Sequence, residues 1–158
     1  MSNATASVEG LTDARQFVTI RIGGQLFGVP ISSVNEVFVP DCITPVPLAP
    51  REIDGVLNLR GRIVTMIDMR RLLGLSDSSV ARMAVGIERT GEAFALLIDG
   101  VGDVLLLDDS THESNPPNLE EDWIQFSEGV HRLEGELLVL LDVERVLATV
   151  GSSARVAA

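Results

Sequence analysis

Lysine is missing from all 158 residues, so each of the twelve basic side chains is an arginine. That removes Schiff-base chemistry and the phosphate-gripping lysine of a nucleotide-binding loop. Cysteine occurs once, as Cys42, which excludes an internal disulfide and makes the cytosol the default compartment. Cys42 stands in a proline-rich loop with no neighbouring CxxC or histidine, so nothing marks it as a metal ligand or as a nucleophile with a base. The two histidines, His112 and His131, have no ligand at i+3 or i+4, and no metal or other cofactor is expected. No uncharged apolar run approaches the ~20 residues that a membrane span needs. The start, MSNATASVEGLTDA, lacks the basic and apolar segments of a signal peptide and reads as a loose tail. Positive charge is also scarce: the net charge is −11, which speaks against nucleic acid or an anionic membrane as partner.

What the chain does contain is a repeat. Gly55 to Leu73 (GVLNLRGRIVTMIDMRRLL) aligns without gaps on Gly129 to Leu147 (GVHRLEGELLVLLDVERVL). Seven of the 19 positions are identical: Gly55/Gly129, Val56/Val130, Leu59/Leu133, Gly61/Gly135, Asp68/Asp142, Arg71/Arg145 and Leu73/Leu147. Upstream, QLFGVPISSVNEV (25–37) lies over EAFALLIDGVGDV (92–104). The charge is not repeated: residues 15–89 carry nine arginines against seven acids, residues 90–150 two against fourteen. Units of this size bury only about 60% of their surface alone, so two of them are expected to share a core, with a groove between them as the binding site.

Local patterns predict strands. FVTIRI (17–22) alternates, with Val18, Ile20 and Ile22 on one face and Thr19 and Arg21 on the other. Gly23-Gly24 turns the chain into QLFGVPI, where Phe27, Val29 and Ile31 share a face, and VNEVFV (34–39) follows. GVLNL and RIVTMI form a hairpin around Arg60-Gly61, after which Asp68 caps a short helix, MRRLL, ended by Gly74. The second copy repeats the order with MAVGIER, FALLI, DVLLL, GVHRL and ELLVLL, then a helix in which Val143, Val146, Leu147 and Val150 share a face. About five short strands per copy with glycine turns favour two small closed barrels, since closure removes exposed edges. IVTMI and LLVLL are apolar on both faces and must be covered twice, as at a seam.

Candidate chemistry is thin. Asp68 and Asp142 form the obvious carboxylate pair, but each stands at a strand-to-helix junction where a cap is needed, and capping is the favoured reading. No helix pattern follows the paired glycines, so they are not a dinucleotide fingerprint. PVPLAP reads as a stiff connection in preference to an SH3 or WW ligand. No catalytic residue is singled out.

GVLNLRGRIVTMIDMRRLLGL, preceded by FGVPISSVNEV, resembles the CheW-like family of chemotaxis coupling proteins, over about residues 15–150. The resemblance implies two intertwined five-stranded SH3-like barrels with short helices, including a C-terminal helix. One subdomain would span roughly 22–82 plus the helix 143–150, the other 83–141 plus the strand 15–21, with tails at 1–14 and 151–158. It further implies a non-enzymatic adaptor in the cytoplasm, held at membrane receptor arrays by protein contacts alone. Its partners would be the cytoplasmic tip of a chemoreceptor and the regulatory domain of a CheA-type histidine kinase. Carried over residue by residue, the receptor-facing positions fall on Val34, Glu36, Arg60 and Val104. The kinase-facing patch falls around Ile31, with Gly55 and Gly61 shaping adjacent turns. Val34 and Val104 are read as near-equivalents in the two copies. Glu36 and Arg60 as a plain surface ion pair, and Ile31 as barrel core, are the competing readings. Thr65 stands where members usually have proline, and Glu113 where some have arginine. A paralogue serving twitching or developmental signalling, or a detached kinase regulatory domain, also stays open.

Overall fold

Four glycine turns, with φ of 84° at Gly24, 85° at Gly61, 82° at Gly91 and 85° at Gly135, fold the chain into hairpins. A positive φ costs glycine nothing, which is why these positions mark the hairpins so clearly. The computed structural model describes residues 14–76, 82–119 and 121–157; the expected tail at 1–14 lies outside them but for Ala14.

The first copy contains β1 (Ala14–Ile22), β2 (Gln25–Pro30), β3 (Glu36–Phe38), β4 (Ile53–Leu59), β5 (Arg62–Asp68) and the single-turn α1 (Met69–Leu72). The second contains β6 (Met83–Arg89), β7 (Glu92–Ile98), β8 (Gly100–Asp108), β9 (His112–Glu113), α2 (Glu121–Ile124), β10 (Ser127–Leu133), β11 (Glu136–Leu141) and α3 (Val143–Ala157). The expected strands are all present. β9 and α2 fall where the local patterns predict no element, and α3 runs on beyond Val150 to Ala157.

The strands assemble into two sheets, β8-β1-β2-β11-β10-β9 and β3-β6-β7-β5-β4. Each sheet therefore takes the first hairpin of one copy and the second hairpin of the other. The joints are parallel: β11 on β2 (Val139 opposite Phe27) and β5 on β7 (Met66 opposite Ala95). This exchange is the intertwining expected of the family fold. Residues 25–30 lie with β10–β11, and residues 83–98 lie with β4–β5. By strand pairing neither sheet closes on itself. The chain leaving β3 instead lies back against β4 through the bridge Thr44–Val56, as β9 lies against β10 through Glu113–Val130.

Three apolar clusters explain the double-sided strands. A shared core takes Val18, Ile20, Ile22, Phe27 and Val29 from one sheet and Ile67, Val85, Leu96 and Ile98 from the other, with Val146, Leu147 and Val150 of α3. Behind it, one sheet keeps its own cluster of Leu57, Val64, Met66, Ala84, Ala95 and Leu97. The other keeps Phe17, Leu26, Leu138 and Leu140. Alternate residues of β5, β7 and β11 thus enter different clusters, each buried side chain contributing about 1.5–3 kcal/mol. Thr19, expected to face outward, is 4% exposed, and its hydroxyl donates to the Asp103 carbonyl at 2.7 Å, where β8 bulges. Ile31, expected beside Phe27 and Val29, leaves the strand after Pro30 in a 3-10 turn and is 39% exposed.

Both aspartate caps form. Asp68 Oδ1 accepts from the Arg71 backbone and Asp142 Oδ1 from the Arg145 backbone, each at 3.2 Å. A further clamp ties the sheets together: Arg70 Nε and Nη2 donate to Asp99 at 2.8 and 2.7 Å, and Asp99 also accepts from the Gly23 backbone at 2.9 Å. These hydrogen bonds, Arg70 first, hold the Asp99 carboxyl below the ordinary aspartate value against the opposing effect of burial.

Candidate functional site

Arg60 sits at the tip of the β4–β5 hairpin with φ +53°, a left-handed conformation uncommon for a side chain larger than Asn or Asp. Asn58 Oδ1 accepts from the Gly61 backbone at 2.9 Å and steadies the turn. From there Arg60 reaches Glu36 on β3, at the far end of the same sheet. Nη2 lies 2.6 and 2.5 Å from the two carboxylate oxygens. The hydrogen bond, and after it the attraction of opposite charge, holds the Arg60 guanidinium above the ordinary arginine value. The guanidinium end is open to solvent, with 71% of the Arg60 side chain exposed against 28% for Glu36.

Glu36 fits on β3 because it faces Gly86, whose missing side chain leaves room for the Glu36 stem. The ion pair stands at the rim of a groove of about 240 Å³ floored by Phe38, Leu59, Val64, Ile87 and Phe94. Beside it, Arg62 holds Glu88 at 3.1 and 3.2 Å and also donates to the Gly91 carbonyl. The Arg62 guanidinium is raised and the Glu88 carboxyl lowered by their mutual hydrogen bond. Such an arrangement offers a charged, planar donor above an apolar floor, suited to a side-chain carboxylate with apolar neighbours.

Of the residues named from the sequence, Glu36, Arg60 and Gly61 come together here. Val34 is half-buried and packs on the shared core. Val104 stands on β8, in the other sheet, and is 50% exposed. The two valines are not equivalent: strand pairing sets Val104 opposite Val18 and Val37 opposite Val85, so the counterpart of Val104 is Val37, itself 39% exposed. The one-register alignment of 25–37 on 92–104 already carried that signal. The exposure of Ile31 rules out the barrel-core reading of that residue.

Gly55 lies inside β4 at a bulge, not in a turn. Its φ is +152°, and a Cβ there would meet the Thr44 carbonyl oxygen at 2.3 Å. It is required by the returning loop. Sequence reasoning did not bring His112 and His131 together; they pair in register with ring centroids 5.7 Å apart. Among the described residues no three His, Cys, Asp or Glu side chains converge as metal ligands. Among the described residues no helix is long and apolar enough to cross a membrane.

Known proteins share both sequence and shape with this chain. A family model for the CheW-like domain matches residues 16–151. The chemotaxis protein CheW of Rhizobium meliloti (strain 1021) is 29% identical over 145 residues, 90% of this chain and 94% of that one. That of Klebsiella aerogenes is 30% identical over 149 residues, covering 92% and 90%. The crystal structure of the scaffolding protein TtCheW from Thermoanaerobacter tengcongensis superposes with a TM-score of 0.72 at 26% identity, over 80% of this chain and 88% of that one. A match over nearly the whole chain, together with a solved CheW structure of similar shape, places this protein in the CheW-like domain family.

Proposed function

We propose that this chain is a non-catalytic chemotaxis adaptor that couples chemoreceptors to a CheA-type histidine kinase, working in the cytoplasm at receptor arrays. Family membership supports the adaptor role, and the scaffolding protein of similar shape agrees with it. The observation that carries the site is the Glu36–Arg60 pair at the rim of an apolar groove. An exposed pair of this kind is screened by solvent and adds little to folding, so it is available to a partner at little cost. Glu36 and Arg60 meet the receptor tip, with Val104 as an apolar contact and Val34 supporting β3 from the core side. Ile31 meets the kinase regulatory domain. Gly61 shapes the Arg60 turn, and Gly55 lets the 43–44 loop close over β4.

Arg60→Glu sets two carboxylates against each other and is expected to weaken receptor-tip binding at least about a hundredfold, an energy of about 2.7 kcal/mol, in line with truncating an interfacial charge pair. Binding of the kinase regulatory domain should persist. Titration calorimetry with both purified partners checks this; undiminished receptor binding would refute the role given to Arg60.

A further inference from the structure

β8 and β4 are the long strands that end a sheet; the bridge Thr44–Val56 lies against β4, whereas among the described residues no backbone group pairs with the outer side of β8. Val104 and Leu106, two apart and so on one face, are 50% and 51% exposed there. Native edges are blunted by charge, proline or a bulge; β8 has a bulge and Asp103 but no lysine or proline, and its apolar end beyond the bulge stays open. In the first copy the corresponding gap between sheet end and hairpin tip is spanned by Glu36 and Arg60. In the second copy the aligned positions are Asp103 and Glu134, two acids, with no ion-pair partner among the described residues. The surrounding half of the chain adds to this bias, with fourteen acids against two arginines over residues 90–150.

We infer that the β8 edge docks a protein segment presenting an arginine or lysine next to apolar side chains. The partner's cation sits by Asp103 and Glu134 and supplies from outside the charge that Arg60 supplies within the first copy. Its apolar neighbours cover Val104 and Leu106. Charge complementarity sets the orientation and speeds association, and apolar burial holds the complex. The inference rests on Val104 being a docking residue, as proposed above, and adds the chemistry of what docks.

Two capped seven-residue peptides of alternating valine and threonine, one with a central arginine and one with a central glutamate, serve as probes in NMR titrations of the full chain. The arginine peptide is expected to shift the amides of Val104, Leu106 and Glu134, with an affinity that falls as salt rises. The glutamate peptide should leave them unmoved. Glu134→Arg should weaken the arginine peptide at least about tenfold, and Asp103→Asn with Glu134→Gln should do so severalfold; both changes lie on exposed turn or edge positions. Equal shifts with both peptides, or shifts confined to other strands, would overturn the inference. A receptor-tip fragment separates the two readings. If Glu134→Arg loses the arginine peptide while Val104→Asp keeps the receptor, the cation-seeking edge stands and Val104 is not a receptor contact. If the arginine peptide never binds while Val104→Asp loses the receptor, the receptor reading stands and this inference fails.

Discussion

The two sheets of this protein are built alike and charged differently. Buried and backbone-determined features recur at equivalent positions. Gly55 and Gly129 have φ of 152° and 131°, each at a bulge. Arg71 donates to the Arg51 carbonyl at 3.3 Å, and Arg145 to the Gln125 carbonyl at 3.5 Å. Asp68 and Asp142 cap their helices at the same distance. Exposed ion pairs are kept less strictly: Arg15 with Glu128 recurs as Arg82 with Asp54, but two others are reversed or lost. Arg62 on Glu88 is matched by Glu136 on Arg21, with the signs exchanged. Arg60 on Glu36 is matched by Glu134 and Asp103, which have the same sign. The difference teaches where the constraint lies. A buried position that departs from the pattern leaves a cavity or a clash, whereas an exposed pair is screened by solvent and is free to serve recognition.

The sharpest way to break the likeness is at the paired glycines. Gly55→Ala puts a Cβ against a backbone oxygen at 2.3 Å, while the nearest atom at Gly129 is the end of the His112 ring at 2.2 Å, with the Glu113 carbonyl at 2.7 Å. Losses of about 3 kcal/mol or more for Gly55→Ala and about 2 kcal/mol for Gly129→Ala are expected in urea unfolding, because the ring can swing and the backbone cannot. Equal losses would mean that the two loops are held equally stiffly.

A smaller contrast separates the caps. Asp68 is buried and lies within 3.5 Å of both Arg71 and Arg82, whereas the Asp142 side chain is 23% exposed and pairs with Arg145 alone among the described residues. Asp68→Ala is expected to cost about 2 kcal/mol and Asp142→Ala about 1 kcal/mol by the same measurement.

The smallest effect is pH-dependent and one-sided. Arg70 holds Asp99, but its counterpart Glu144 pairs at the surface with Arg89. Since the Asp99 carboxyl is lowered in the folded state, its contribution is complete above the unfolded value of about 3.9 and is lost as pH falls through the lower folded value. Thermal melts between pH 5 and pH 2 should therefore decline less steeply for Arg70→Met than for the unaltered chain. An unchanged slope would place the acid sensitivity elsewhere.

Much of this could be read in the chain itself. Alternation placed the strands, glycine dipeptides placed the hairpins, and Asp68 and Asp142 placed the helix starts, because each depends on a few neighbouring residues. The Glu36–Arg60 pair was legible for a different reason: the family resemblance named both residues. Ile31 and Val34 were harder. Their exposure depends on Pro30 ending β2 and on which face of β3 meets the shared core, and neither follows from period two.

By itself the sequence determined a duplicated β unit, its turns, its caps and the acidic bias of its second half. Those are matters of local sterics, hydrogen bonding and composition. Only the tertiary structure decided which hairpin lies beside which, with β2 joined to β11 and β5 to β7. Two nearly equivalent hairpins offer nearly equivalent edges, and the choice is made by burying both faces of β5 at Met66 and Ile67 and of β11 from Leu138 to Leu141 at once. The same assembly brings Arg60 across its sheet to Glu36 and leaves Asp103 and Glu134 without such a match.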